Sequence, residues 1–395
     1  MRLRVSIPQV EPERVVAPKR CPYCGKKYLK AHQRRCKKPL RDTKYEEVKA
    51  QRWRCLSCRR TFRVYPRGVS RAQHSGRLKG LAVLLYLLGL SYGAVEDALG
   101  ALGWFLSKTT VYRDVQAAGE KARQLRANWL RQQEGKVRFV GADPTRVRRA
   151  GEDVIVALAV DAQHGPVLEI VLLDNEQAET LKGWLQPLLE HVGAEVLVSD
   201  DADGFKAVAD AANVGHQVCR RHVTANVLAF IAEARERLLT DPPPPPKGME
   251  VTPDQLLADL ESLEWIILGL PEKGAQMLEE MYLWYAHAPP PGKGEQATLW
   301  YRARNRFLDL WNNWARLSCY LRLKEKKGEE LHATNNVTER AIGWAVKERY
   351  RTMRGYKRDE SILNVTTLTA WLLEQPAGYD LTPLTGLFNV LTKGL

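Results

Sequence analysis

Hydrophobic and polar positions change period several times along this chain, and each change marks an element. From Leu78 to Leu88 the apolar residues recur with helical spacing, and Gly89 stops them. Ser91 is placed to cap a second helix with Val95, Ala98, Leu99 and Leu102 inward. Ser107 is placed to cap a third, with Thr109, Thr110, Tyr112, Arg113 and Gln116 outward. Helix, turn, helix, then a polar helix is the layout of a helix-turn-helix reader of DNA. The plainer alternative is a three-helix packing unit. On the first reading Thr109, Thr110 and Arg113 are the candidate DNA contacts.

The period then shortens to that of strands. Val-Arg-Phe-Val-Gly-Ala runs up to Asp143, where the strand is expected to end. Asp153–Asp161 and Pro166–Leu173 are β-branched runs joined by a Gly-containing turn. Helical spacing returns over Glu176–Glu190, a strand over Glu195–Ser199, a helix over Asp203–Ala212 and a short strand over Gly215–Val218. Three strands, helix, strand, helix, strand is the order of a ribonuclease-H-like fold. In that order the ends of the first and fourth strands become neighbours, and they carry Asp143 and Asp200. Asp201 stands next door as an alternative to Asp200.

Residues 226–330 read as an all-α insertion, broken by Pro242–Pro246 and Pro289–Pro291, which resist helix and sheet alike. Trp284, Trp300, Trp311 and Trp314, with Tyr285 and Tyr301, have the spacing of helices packed on one another. Base stacking is the rival role for them. Past residue 331 the segment Thr-Asn-Asn-Val-Thr leads into Glu339 and a basic helix. Arg340, Lys347 and Arg351 are spaced to share one α-helical face, which suits a phosphate backbone.

Charge changes the picture at the N-terminus. Residues 1–80 hold 24 Lys and Arg against 5 Asp and Glu, while the rest of the 395-residue chain holds 36 against 41. A basic module of this density points to nucleic acid. It also contains Cys21/Cys24 and Cys55/Cys58, two Cys-x-x-Cys pairs, which together supply the four soft ligands of a tetrahedral Zn²⁺. His32 and Cys36 follow the first pair and offer an alternative set. No run of ~18 apolar residues occurs, so no membrane span is expected. The polar first twenty residues lack the core of a signal peptide, and a cytoplasmic, nucleoid-associated location is expected.

Taken singly, an Asp after a strand is often a cap and a Glu on a basic helix often a surface ion pair. Together the motifs carry a resemblance. They are Gly141-Ala-Asp143-Pro-Thr, Val198-Ser-Asp200-Asp-Ala-Asp-Gly-Phe205, Val218-Cys219-Arg-Arg-His222, and Thr334-Asn-Asn-Val-Thr-Glu339-Arg-Ala, followed by Lys347 and Arg354-Gly-Tyr. The chain resembles an insertion-sequence transposase of the DDE type. The resemblance implies a multidomain fold: a zinc ribbon (1–70), a helix-turn-helix domain (71–132), and a mixed α/β ribonuclease-H-like core (133–225 and 331–395) interrupted by the all-α insertion. It implies Asp143, Asp200 and Glu339 as a catalytic triad holding two Mg²⁺ or Mn²⁺ ions, with Cys219 and His222 at the edge of the site. It further implies double-stranded DNA, both element ends and target, as partner, and a homodimer or larger assembly on that DNA. A non-catalytic DNA-binding regulator and a nuclease without strand transfer are the rival functions.

Overall fold

A computed structural model describes residues 3–327 and 331–385 of the chain. Residues 328–330 and 386–395, which belong to the expected insertion and C-terminal segments, lie outside the described residues.

The N-terminal module contains β1 (Val5–Ser6), β2 (Leu29–Ala31), β3 (Cys36–Pro39), β4 (Glu47–Cys55) and β5 (Thr61–Val64). The long β4 pairs antiparallel with β2, β3 and β5. Val10, Leu40, Val48 and Val69 form its small core. So small an apolar cluster holds a module poorly by itself. Two other features anchor it: the four cysteines, and Asp42, whose buried carboxylate accepts from Ser75 and Arg77.

Those two residues begin the next unit: α1 (Gly76–Leu87), α2 (Tyr92–Ala101) and α3 (Lys108–Arg131). Ser75, Ser91 and Ser107 cap them, each accepting from a backbone N–H three residues on. The third helix is longer than its polar start suggests. Val115, Ala118, Gly119 and Ala122 line a buried stripe down to Arg126. At Gly119 an added Cβ would lie 2.5 Å from Asn364, so only glycine lets the helices approach this closely. Tyr112 and Gln116, expected to face outward, are drawn onto Tyr92 instead, by a ring contact and a hydrogen bond.

The central sheet is built from β6 (Phe139–Arg149), β7 (Glu152–Asp161), β8 (Val167–Leu173), β9 (Val196–Ser199) and β10 (Gly215–Val218), with α4 (Ala178–Val192) and α5 (Asp203–Ala211) between the later strands. Its spatial order is β10-β9-β6-β7-β8. β6, β7 and β8 are antiparallel, while β9 and β10 run parallel to β6. The sequence reading is corrected at one point: β6 does not end at Asp143. It continues to Arg149 because β7 still pairs with it, residue for residue, through that stretch.

Beyond β10 come α6 (Arg220–Thr240), α7 (Pro253–Gly269), α8 (Gly274–Tyr285), α9 (Leu299–Leu317) and α10 (Cys319–Lys327). They enclose their own core around Trp300, Tyr285 and Phe307. Trp300 also donates to the carbonyl of Pro244, which fastens the polyproline loop to the helices. Trp311 and Trp314 are partly buried against this core, whereas Trp284 is 64% exposed and does not join it.

The chain then returns to the sheet through α11 (Asn336–Ile342), a π-helical turn (Gly343–Lys347), α12 (Glu348–Tyr350) and α13 (Asp359–Leu373). One face of the sheet is covered by α4 and α5, through Leu181, Leu185, Leu189 and Phe205. On the other, Val156, Leu158 and Val160 meet Ile342, Val346, Val365 and Leu368 in a core shared with α1–α3. Last comes β11 (Tyr379–Asp380), which pairs in parallel with β1. Among the described residues no helix is long and apolar enough to cross a membrane.

Candidate active site

The sheet is notched beside Asp143. β9 pairs with β6 only over Phe139–Gly141 and stops at Ser199, so β6 has an open edge from Ala142 onward while β7 still supports its other side. Asp143 projects at that notch, and Asp200 is the residue that follows the last one of β9. The turn at Asp200 is held from behind. Arg316 of α9 donates to Nδ1 of His216, His216 and Ser199 are in hydrogen-bond contact at 2.8 Å, and Ser199 donates to the carbonyl of Asp200. Burial, then the Arg316 charge, pushes His216 down to about 3, so it stays neutral in this chain of contacts.

Gly141 explains how the third acid arrives. An added Cβ there would come within 2.3 Å of Thr338 Oγ1 and 3.2 Å of Asn335 Oδ1. The absence of that carbon lets α11 lie directly on β6. Asn335 then donates through Nδ2 to the carbonyl of Ala142 and through its backbone N–H to Sγ of Cys219. With Asn335 and Thr338 buried against the strand, Glu339 is brought to the same edge as Asp143 and Asp200.

Asp143 feels both of the other acids. Burial, then Asp200 and Glu339, raise the Asp143 carboxyl to about 7, against the partial opposition of Lys347. Burial also raises Asp200, while the amide of Ala202 and the charge of His222 work the other way. Glu339 is turned toward α6. Arg221 donates to both its oxygens, at 2.7 and 2.5 Å, and His222 Nε2 stands 3.4 Å away. Cys219, His222 and Glu339 form one cluster of potential metal ligands within 4.8 Å of one another, and Asp143 and Asp200 are not members of it.

Asp201 points elsewhere: it pairs with Lys206 at 2.9 Å, alongside Asp203. Arg340 and Lys347 do not stand in one α-helical row. The π-helical turn adds residues per turn between them. Arg340 lies over the Trp344 ring, while Lys347 acts on Asp143. Arg351 is exposed. On α3, Thr109 and Arg113 are exposed, but Thr110 is tied into the helix cap through Ser107. Arg221 and Asn335 organise the site without any signal of their own in the sequence, although both lie inside the Val218–His222 and Thr334–Glu339 motifs.

Far from the notch, Cys21, Cys24, Cys55 and Cys58 converge with their sulfurs within 4.8 Å of one another. Within this pair the amide of Cys58 is the largest influence drawing the Cys55 thiol down, while Cys58 itself, against the amide of Arg60, is held up by its burial and by the neighbouring thiols. His32 and Cys36 are exposed and stand outside the cluster.

Residues 69–241 match the family model described as "Transposase, Mutator family". Over that span, somewhat under half of the chain, the sequence is similar to the Mutator transposase family. The span takes in Asp143, Asp200, Cys219 and His222, and it stops before Glu339. No curated protein sequence matches the chain. Among solved structures, the HTLV-2 integrase catalytic core in complex with magnesium is similar in two forms. The trimeric form is 14% identical, with a TM-score of 0.19, over 33% of this chain and 84% of that one. The dimeric form is 15% identical, with a TM-score of 0.19, over 34% and 88%. At such a TM-score these likenesses decide nothing, and the fold of this chain rests on its own strand order.

Proposed function

We propose that this chain binds the terminal inverted repeats of its mobile element, cleaves the strands there and joins the ends to target DNA, as a DDE enzyme. The observation that carries the reading is the seating of α11 on β6 at Gly141, which sets Glu339 at the same edge as Asp200 and the half-buried Asp143, whose carboxyl both acids help push up to about 7 against Lys347. Acids gathered at such cost fit a site built for cations. On this reading Asp143, Asp200 and Glu339 hold two Mg²⁺ or Mn²⁺ ions, which when bound neutralise charge around the scissile phosphate. Asp143 and Asp200 are offered from the notch of the sheet. Glu339 comes from α11 once it leaves Arg221, and Lys347 helps hold the phosphate in line. Asp201, engaged by Lys206, is the weaker candidate for the second position.

The assignment extends to the modules. Residues 1–70, with Zn²⁺ on Cys21, Cys24, Cys55 and Cys58, and residues 71–132, with Thr109, Thr110 and Arg113 on α3, read the DNA. Residues 133–225 and 331–395 form the catalytic core around the insertion at 226–330. Arg340 and Arg351 contact DNA beside the core, and Cys219 and His222 edge the site. The working form is a homodimer or larger assembly on DNA, in the cytoplasm and associated with the nucleoid.

One observation favours the non-catalytic regulator instead: Glu339 is already neutralised by Arg221. Incubation of the full chain with end-bearing duplex and Mg²⁺ or Mn²⁺ separates the readings. Nicked and joined products, both abolished in Asp143→Ala, are expected. Joined products from Asp143→Ala overturn the proposal, and binding without any metal-dependent product assigns the regulator. Nicks without joining assign the simple nuclease.

A further inference from the structure

The N-terminal sheet carries a conflict that its own module does not resolve. In the antiparallel register Lys30 stands directly opposite Arg54, and Arg52 directly opposite Arg63. Like charges placed across a strand pair repel and destabilise it. A third such pair, Lys37 opposite Lys49, makes the contrast. There the module supplies acids: Glu47 reaches Lys37 at 2.8 Å and Glu13 reaches Lys49 at 3.7 Å. Among the described residues no ion pair reaches Lys30, Arg52, Arg54 or Arg63. None is to be had nearby, since the sequence has no Asp or Glu between Glu13 and Asp42, nor between Glu47 and Glu96.

Two-residue alternation puts the four side chains on one side of the β2-β4-β5 sheet. His32, whose amide bonds the carbonyl of Arg52, continues the row along β2. Lys30, His32, Arg54 and Arg59 together line a groove of about 390 Å³. Arg59 adds a second conflict. It occupies the left-handed position after the second cysteine pair, with φ 59°, where the first pair has Gly25 at φ 70°. An arginine kept where glycine is relaxed is backbone strain accepted for the side chain.

We propose that this face, Lys30, Arg52, Arg54 and Arg63 with Arg59 at its rim, is a docking surface for the phosphate backbone of duplex DNA. The inference rests on the reading of the chain as a DNA-acting transposase and adds a specific surface to it. A row of phosphates supplies the negative charge that the module withholds here and provides elsewhere. The face reads no bases by itself; it fixes where the protein sits.

The test uses the full chain, loaded with zinc, and a labelled duplex whose binding is followed by anisotropy across a range of salt. Lys30→Gln/Arg54→Gln/Arg63→Gln should weaken binding roughly tenfold or more and flatten the salt dependence by about 2–3 units of slope. Its melting temperature should hold or rise, because the repulsion is gone. Arg59→Gly should likewise melt no lower and bind more weakly. Lys37→Gln/Lys49→Gln, whose charges are already answered, should bind within about twofold of the wild type. Wild-type affinity and slope in the triple variant, with the wild type binding duplex normally, overturn this surface and leave the transposase reading standing. A loss confined to single-stranded RNA or heparin also overturns it. A wild type that binds no duplex overturns both.

Discussion

Arg221 donates to both carboxylate oxygens of Glu339, so the acid on α11 is bridged to the first turn of α6. The Arg221 side chain is 56% exposed and that of Glu339 26%, which makes the bridge weak enough to exchange. A cation bound as proposed at Glu339 would compete with the Arg221 guanidinium for the same oxygens.

Arg221→Ala therefore should bind Mn²⁺ more tightly. An exposed pair contributes up to about 1 kcal/mol, so the gain should be up to roughly fivefold in Kd. Calorimetric titration of the DNA-free chain measures it. Unchanged or weaker Mn²⁺ binding would show that Arg221 does not compete for Glu339.

Asp143 gives a pH signature. Its folded value, about 7, lies above the ordinary 3.8, so the folded chain holds this proton more tightly than the unfolded one. The contribution of this group to stability is therefore present at about pH 4 and is lost as pH rises through about 7. Asp143→Asn removes the burden. Without divalent ions it should melt several degrees above the wild type at about pH 8, and the gap should close toward about pH 4. Added Mg²⁺ should narrow the gap at the higher pH by stabilising only the wild type. A gap independent of pH contradicts the assignment.

Gly141→Ala places a methyl group 2.3 Å from Thr338 Oγ1, and α11 must move away from β6. Overpacking of this kind costs about 1–3 kcal/mol. Lower thermal stability and loss of metal-dependent DNA cleavage are expected together. Adding Thr338→Ala should recover part of both, because it removes the clashing atom. Failure of the double variant to recover either would mean that α11 is not seated by this contact.

The purified chain should carry about one zinc per molecule, held by the four clustered cysteines. Cys24→Ser should lower the zinc content and the DNA affinity together, whereas His32→Ala and Cys36→Ser should leave the zinc content unchanged. Metal analysis of the three variants decides between the cysteine cluster and the set that includes His32 and Cys36.

Much of this was legible in the sequence because local chemistry and global order agree. Ser91 and Ser107 cap the helices they precede, and the strands lie in the spatial order their sequence order implies. The errors came where tertiary contacts overrode local pattern. β6 runs past Asp143 because β7 pairs with it, which no single-strand signal reports. Spacing alone sets Arg340 and Lys347 on one face of an α-helix, and a π-helical turn breaks that geometry between them. Arg221 was invisible as a partner of Glu339 because 118 residues separate the two. Asp201 and Asp200 look alike in sequence, and only the reach of Lys206 tells them apart.

The short pairing of β1 with β11, with Asp42 gripping Arg77, makes the front of the molecule and its end one frame. Such a frame would act as a ruler. If the N-terminal sheet grips phosphates and Asp143 receives the bond to be cut, as proposed, the span between them would be set by protein, not by the path the DNA happens to take. An element end whose recognised block is shifted by half a helical turn, about 5 base pairs, would offer its opposite side to the notch. The place of the cut would be measured from the protein's grip, and the letters at the cut itself would be free to vary.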